Sequence, residues 1–165
     1  MEKRYLSLAN SLSLSGASFG LLAIIELYFS NLLAASLLIL LAVLLDFLDG
    51  KVARKTGTAG DFGKNIDSLS DIVSFGVAPA LMAWQLTAND LLGLVGALLI
   101  LSAGIFRLAR YNTLKIKDYL GMPIPFNALI FVAAYLSGLE GFAVFLLAIM
   151  SALLMASTFK IKKRF

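Results

Sequence analysis

The chain has 165 residues, of which 60% are hydrophobic and only 15% charged, with a formal net charge of +4. A water-soluble domain typically carries about 25% charged residues, so a soluble enzyme, a disordered regulator and a nucleic-acid-binding domain are all excluded. Cysteine and histidine are absent, which removes disulfides, thiolate or imidazole metal sites and His-based triads and leaves carboxylates, Lys/Arg and hydroxyls for chemistry.

About 20 apolar residues cross a bilayer core, and six such segments are predicted in chain order. The first, over 12–29, follows Met1-Glu2-Lys3-Arg4. No small-residue cleavage site follows, so it reads as a first membrane helix with an interfacial lead-in and not as a signal peptide. Glu26 falls near its outer end and is given no role. The second and third segments cover 32–51 and 66–86, the fourth 91–111. The fifth, over 124–136, is short and is entered through Pro123 and Pro125, residues suited to a first helical turn. The sixth covers 142–159. The expected architecture is all-α: a polytopic membrane protein with six transmembrane helices in a single domain over 1–165.

Charge sets the orientation. Lys3 and Arg4 precede the first segment, and Lys51, Arg54, Lys55 and Lys64 lie between the second and third. Arg107, Arg110, Lys115 and Lys117 lie between the fourth and fifth, and Lys160, Lys162, Lys163 and Arg164 follow the sixth. The opposite connections, around Asn31, Asp90 and Glu140, contain no basic residue. Under the positive-inside rule both termini and the two basic loops are cytoplasmic, which requires an even number of spans. Trp84, Tyr28 and Tyr135 near span ends read as interface anchors.

Only one stretch is strongly polar. It carries Asp46, Asp49, Gly50, Ala53 and Arg54, then Gly63, Asp67 and Asp71. An Asp at the centre of a membrane helix costs roughly 2.5–3.5 kcal/mol, so four of them require compensation by water, cations or metal. At 100° per residue, Asp46, Asp49, Gly50, Ala53 and Arg54 share an arc of about 140°. Gly63, Asp67, Asp71 and Ser74 form a narrower stripe. The glycine-containing linker over 54–63 permits a reversal that turns the two faces toward each other. Facing carboxylate pairs make an all-oxygen cage suited to hard cations such as Mg²⁺ or Mn²⁺, with charge for two ions. Gly50 and Ala53 leave the helix surface bare for a bulky ligand.

The pattern D-x2-D-G-x2-A-R-x8-G-x3-D-x3-D, matched by Asp46, Asp49, Gly50, Ala53, Arg54, Gly63, Asp67 and Asp71, resembles the signature of the CDP-alcohol phosphotransferases. The stretch from Asp67 through Ser74, Phe75, Gly76 and Pro79 to Ala80 is similar to the serine-using, phosphatidylserine synthase branch. So are Arg107, Arg110 and Asn112, followed by Gly121, Pro123 and Pro125. Asn10 matches a family position that faces the nucleotide, although Ala9 stands where a proline is usual. Gly60 replaces a hydroxyl residue, so only its backbone N–H is left for a nucleotide contact.

The resemblance implies attack of the L-serine hydroxyl on the lipid-proximal phosphate of CDP-diacylglycerol or CDP-archaeol, with release of CMP. It implies one metal on Asp46, Asp49 and Asp67 and a second on Asp46, Asp67 and Asp71, with Asp71 as general base. The nucleotide side would comprise Asn10, Asp49, Gly50, Ala53, Arg54, Gly60 and Gly63. Arg107, Arg110 and Ser74 are candidates for the acceptor carboxylate or lipid phosphate. It also implies a homodimer in the cell membrane, with the site facing the cytoplasm. Two other readings stand beside it. One is the same scaffold with glycerol 3-phosphate or inositol phosphate as acceptor. The other, from a different class, is a divalent-cation transporter, whose site should lie near the bilayer midplane and open to both sides.

Overall fold

A computed structural model describes residues 7–57, 60–114 and 119–161. Lys3, Arg4, Lys115, Lys117, Lys162, Lys163 and Arg164, on which part of the charge argument rests, lie outside the described residues. Helix α1 spans Leu8–Tyr28 and α2 Leu32–Thr56. Next comes a rod made of α3 (Asp61–Asp71), a π-helical turn (Ile72–Val77) and α4 (Ala78–Leu86). Then follow α5 (Leu91–Thr113), α6 (Ile124–Leu136) and α7 (Phe142–Ala156).

Side-chain caps set the starts of α1, α2 and α5. Ser7 accepts from the Asn10 N–H at 3.1 Å, Asn31 from Ala34 at 3.3 Å and Asp90 from Gly93 at 2.6 Å, each satisfying an otherwise orphaned donor. The Ser7 cap begins α1 four residues before the expected 12–29 span. Hydropathy misses this turn because it counts serines as polar, whereas the hydroxyls of Ser11, Ser15 and Ser18 donate back to carbonyls of their own helix. The second helix also outruns its expected 32–51 limit, ending at Gly57 in the left-handed region with φ +64°. Arg54 and Lys55 lie in its last turn, where cations complement the helix dipole. The third rod begins at Asp61, so the reversal is confined to the residues between Thr56 and Asp61 and is tighter than the 54–63 linker.

Four rods, Leu8–Tyr28, Leu32–Thr56, Asp61–Leu86 and Leu91–Thr113, are long and apolar enough to cross a membrane, while α6 and α7 have 13 and 15 residues. The last helix stops at Ala156, short of the expected 159, because the following chain pairs with the loop before α6. Strand β1 (Tyr119–Leu120) runs antiparallel to β2 (Lys160–Ile161), with Tyr119 opposite Ile161. This two-residue ladder is the one departure from an all-helical fold among the described residues. Gly121, at φ +70°, makes it possible: a Cβ there would lie 2.6 Å from the Met155 carbonyl oxygen.

The interior mixes large side chains such as Phe75, Phe131 and Met82 with many small ones, which let helices approach closely. Ala23, Ala35, Ile39, Ala42, Ala78 and Ala83 are buried, while Leu33, Leu37, Leu44 and Leu98 point outward. A close helix–helix approach is at Gly20, where a Cβ would sit 2.7 Å from Ser74 Cα. At the opposite end from the aspartates, the Asn31 amide donates to Glu26 at 2.8 Å, and the Gln85 amide donates to the Leu27 carbonyl.

Candidate active site

The reversal after α2 lays the Asp46/Asp49 face against the Asp67/Asp71 face. Asp46, Asp49 and Asp67 each offer a carboxylate oxygen, and these oxygens lie within 4.8 Å of one another. Opposite ligands of a hard divalent ion at about 2.0–2.4 Å from the metal stand about 4–5 Å apart, so this all-oxygen set fits such an ion. Asp71 is buried as well, 8% exposed, within electrostatic range of Asp46, Asp67 and the buried Arg107 guanidinium. Ser13, on α1, donates its hydroxyl to Asp49 Oδ2 at 2.6 Å and holds that carboxylate at one rotamer while leaving its other oxygen available.

Two cavities meet at this cluster. One, of about 320 Å³, is lined by Asn10, Asp49, Gly50, Ala53, Arg54, Gly60, Gly63 and Asp67, together with Ala9, Ser13, Asp61, Lys64 and Tyr111. Every residue expected on the nucleotide side is therefore gathered around one space. Gly63 allows α3 to meet α1 there, since a Cβ would stand 3.0 Å from Asn10 Oδ1. The second cavity, of about 500 Å³, is lined by Asp46, Asp67, Asp71, Arg107 and Tyr111 on its polar side and by Phe47, Pro123, Pro125, Phe126 and Leu129 on its apolar side. Asp67 and Tyr111 border both spaces. Lys64 is tied to one of the two shared residues: its ammonium donates to the Tyr111 carbonyl at 2.8 Å and lies 4.4 Å from the ring centroid.

The three candidates for the acceptor side separate. Arg107 lines the second cavity. Arg110 donates instead to the carbonyls of Leu120, Met155, Ala156 and Ser157 at 2.7–3.3 Å, tying the loop before α6 to the end of α7. Ser74 is 1% exposed and donates to the Gly16 carbonyl at 3.0 Å, so its hydroxyl bridges two helices.

Ser13, Tyr111 and the contact of Lys64 with Tyr111 were not legible as site features. The available signal for Ser13 was the stripe Ala9, Ser13, Gly16 and Gly20 along α1, small residues at helical spacing that mark a face for close approach. Tyr111 lies inside the stretch from Arg107 to Asn112 that carries the family resemblance, but nothing there marks its side chain as lining a cavity.

A helical membrane protein with a carboxylate centre between two unlike cavities is the build of an enzyme that joins a polar reactant to a lipid-borne one. The chain belongs to the family described as CDP-alcohol phosphatidyltransferase, which it matches over residues 6–159. It is 44% identical over 161 residues to the archaetidylserine synthase of Methanothermobacter thermautotrophicus, covering 93% of this chain and 69% of that protein. It is 38% identical over 162 residues to the CDP-diacylglycerol–serine O-phosphatidyltransferase of Methanocaldococcus jannaschii, covering 98% of this chain and 76% of that one. The Bacillus subtilis enzyme of the same name is 39% identical over 117 residues, 68% of this chain and 66% of its own.

Proposed function

We propose that this protein transfers the phosphatidyl or archaetidyl group of a CDP-lipid to the hydroxyl of L-serine and releases CMP. The observation that carries the reading is the position of the aspartate cluster at the junction of a polar cavity and a half-apolar one. Relatives named as serine-using synthases support the choice of acceptor. A cation-transport site would need access from both sides of the membrane, and transport leaves the Gly50, Ala53 and Arg54 pattern without a purpose.

In this reading the CDP moiety occupies the 320 Å³ cavity. Gly50 and Ala53 give it a bare helix surface, Asn10, Gly60 and Gly63 border it, and Arg54 presents a guanidinium fork to the diphosphate. Divalent ions, Mg²⁺ or Mn²⁺, one on Asp46, Asp49 and Asp67 and a second on Asp46, Asp67 and Asp71, would supply charge neutralisation of the diphosphate and of the departing CMP. Serine enters the 500 Å³ cavity, where Arg107 faces its carboxylate and the apolar wall of Pro125, Phe126 and Leu129 excludes water. Its hydroxyl oxygen forms the new bond to the lipid-side phosphorus as the bond to the CMP oxygen breaks, and the hydroxyl proton passes to Asp71. Arg110 frames the cavity through its carbonyl contacts, and Ser74 holds helices together.

The chain crosses the bilayer six times in this account, with α6 and α7 as the short passes and the aspartates on the cytoplasmic side. Purified protein in liposomes containing CDP-lipid tests the acceptor. Serine should drive CMP release and appear in the lipid product, and glycerol 3-phosphate and inositol phosphate should not. Turnover with glycerol 3-phosphate but not serine would overturn the assignment.

A further inference from the structure

The reacting carboxylate Asp71 closes α3, and the next six residues, Ile72–Val77, form the π turn. Its wide register is seen in the Ala78 N–H, which bonds the Val73 carbonyl five residues back. The cause is local. In an α-helix the Phe75 carbonyl would accept from residue 79, which is proline; it has no N–H, and its ring collides with that same carbonyl.

The displaced carbonyl receives a side chain from another helix. Asn127, on α6, donates its amide to Phe75 O at 2.8 Å, and Ser151, on α7, donates its hydroxyl to Asn127 Oδ1 at 2.7 Å. Asn127 and Ser151 are wholly buried and Phe75 is 1% exposed. The amide orientation is unambiguous, because a carbonyl can only accept. From the opposite side Ser74 donates to Gly16 O on α1, so the turn is held on both flanks.

We propose that Asn127 is a positioning residue for the phosphotransfer centre. Pro79 disfavours the α register. Asn127 donates to the displaced Phe75 carbonyl and so holds the π turn in place, and with it the rotational phase between α4, anchored in the core, and the Asp67/Asp71 stripe of α3. One residue more or less in the turn rotates the upstream helix by about 100°. An α register would therefore swing both carboxylates away from Asp46 and Asp49. Asn127 and Ser151 act through the backbone of Phe75 and touch no reactant. The inference rests on the phosphotransfer reading above.

The test separates phase from stability. Asn127→Leu is expected to lower kcat about 100-fold, as misplacement by an ångström does, with KM for serine and CDP-lipid within about threefold of wild type. Adding Pro79→Ala restores a backbone N–H to the Phe75 carbonyl. The double variant is expected to recover the thermal midpoint in detergent while kcat stays low, because the rod then closes in α register. If kcat returns together with the midpoint, or if Asn127→Leu turns over like wild type, the proposal is overturned. Ser151→Ala, which leaves Asn127 in place, covers the case of a misfolded variant: kcat should fall about tenfold by the same misplacement argument, and unchanged kcat would overturn the proposal. Absence of CMP release from the wild-type protein would instead sink the phosphotransfer reading itself.

Discussion

At the residue scale the four aspartates have different surroundings. Asp46, Asp49 and Asp67 converge their oxygens within 4.8 Å, and Asp49 is further tied by Ser13. Asp71 lines the 500 Å³ cavity and lies in range of Arg107. The roles should therefore separate on mutation. Asp71→Asn keeps the size of the side chain and removes the proton acceptor, so turnover should fall by about 10²–10⁴ while CDP-lipid binding, followed by equilibrium dialysis, persists. Asp67→Asn should in addition raise the divalent concentration needed for half-maximal activity. Wild-type CMP release from Asp71→Asn would remove it as the base. The aspartates were legible in the sequence because fixed spacing on two helices needs only helical periodicity to be read. Ser13 and Asn127 were not, since each acquires its partner from a distant helix, Asp49 in one case and the Phe75 carbonyl in the other.

At the scale of elements, hydropathy located the four long rods and two shorter apolar helices among the described residues but misjudged where several begin and end. The errors have one origin: termini are decided by caps and tertiary partners, which apolarity does not report. Ser7 starts α1 early, and Gly57 lets α2 run past Lys51 with its last turns lining the 320 Å³ cavity. Arg110 draws the end of α7 into contact with the loop before α6, which shortens the last helix. Reading Arg110 as a substrate clamp was natural for an arginine three residues from Arg107. Its four carbonyl acceptors became visible only once the loop before α6 and the end of α7 were brought together. The π turn was written in the sequence, in the placing of Pro79 four residues after Phe75, yet its consequence depends on Asn127, 52 residues further on.

For the whole molecule, the net charge of +4 is the basis of the proposed orientation. Among the described residues Arg54, Lys64, Arg107 and Arg110 cluster at the aspartate end, whereas Glu26 and Asn31 occupy the other. A chain without cysteine makes this easy to check. Single cysteines at the exposed positions Glu140 and Lys55 should react oppositely with a membrane-impermeant maleimide applied to intact cells: Glu140→Cys is labelled and Lys55→Cys protected until lysis. The reverse pattern would turn the topology over. Low charge also gives the few remaining carboxylates their meaning, since three of the ten acidic residues converge between two cavities, with Asp71 beside them.

The most direct measurement is serine-dependent CMP release from CDP-lipid in liposomes, followed through EDTA treatment and re-addition of Mg²⁺ or Mn²⁺. The expected result is loss of CMP release on chelation and its return with the metal; release that persists unchanged in EDTA, or that does not depend on serine, would contradict the account.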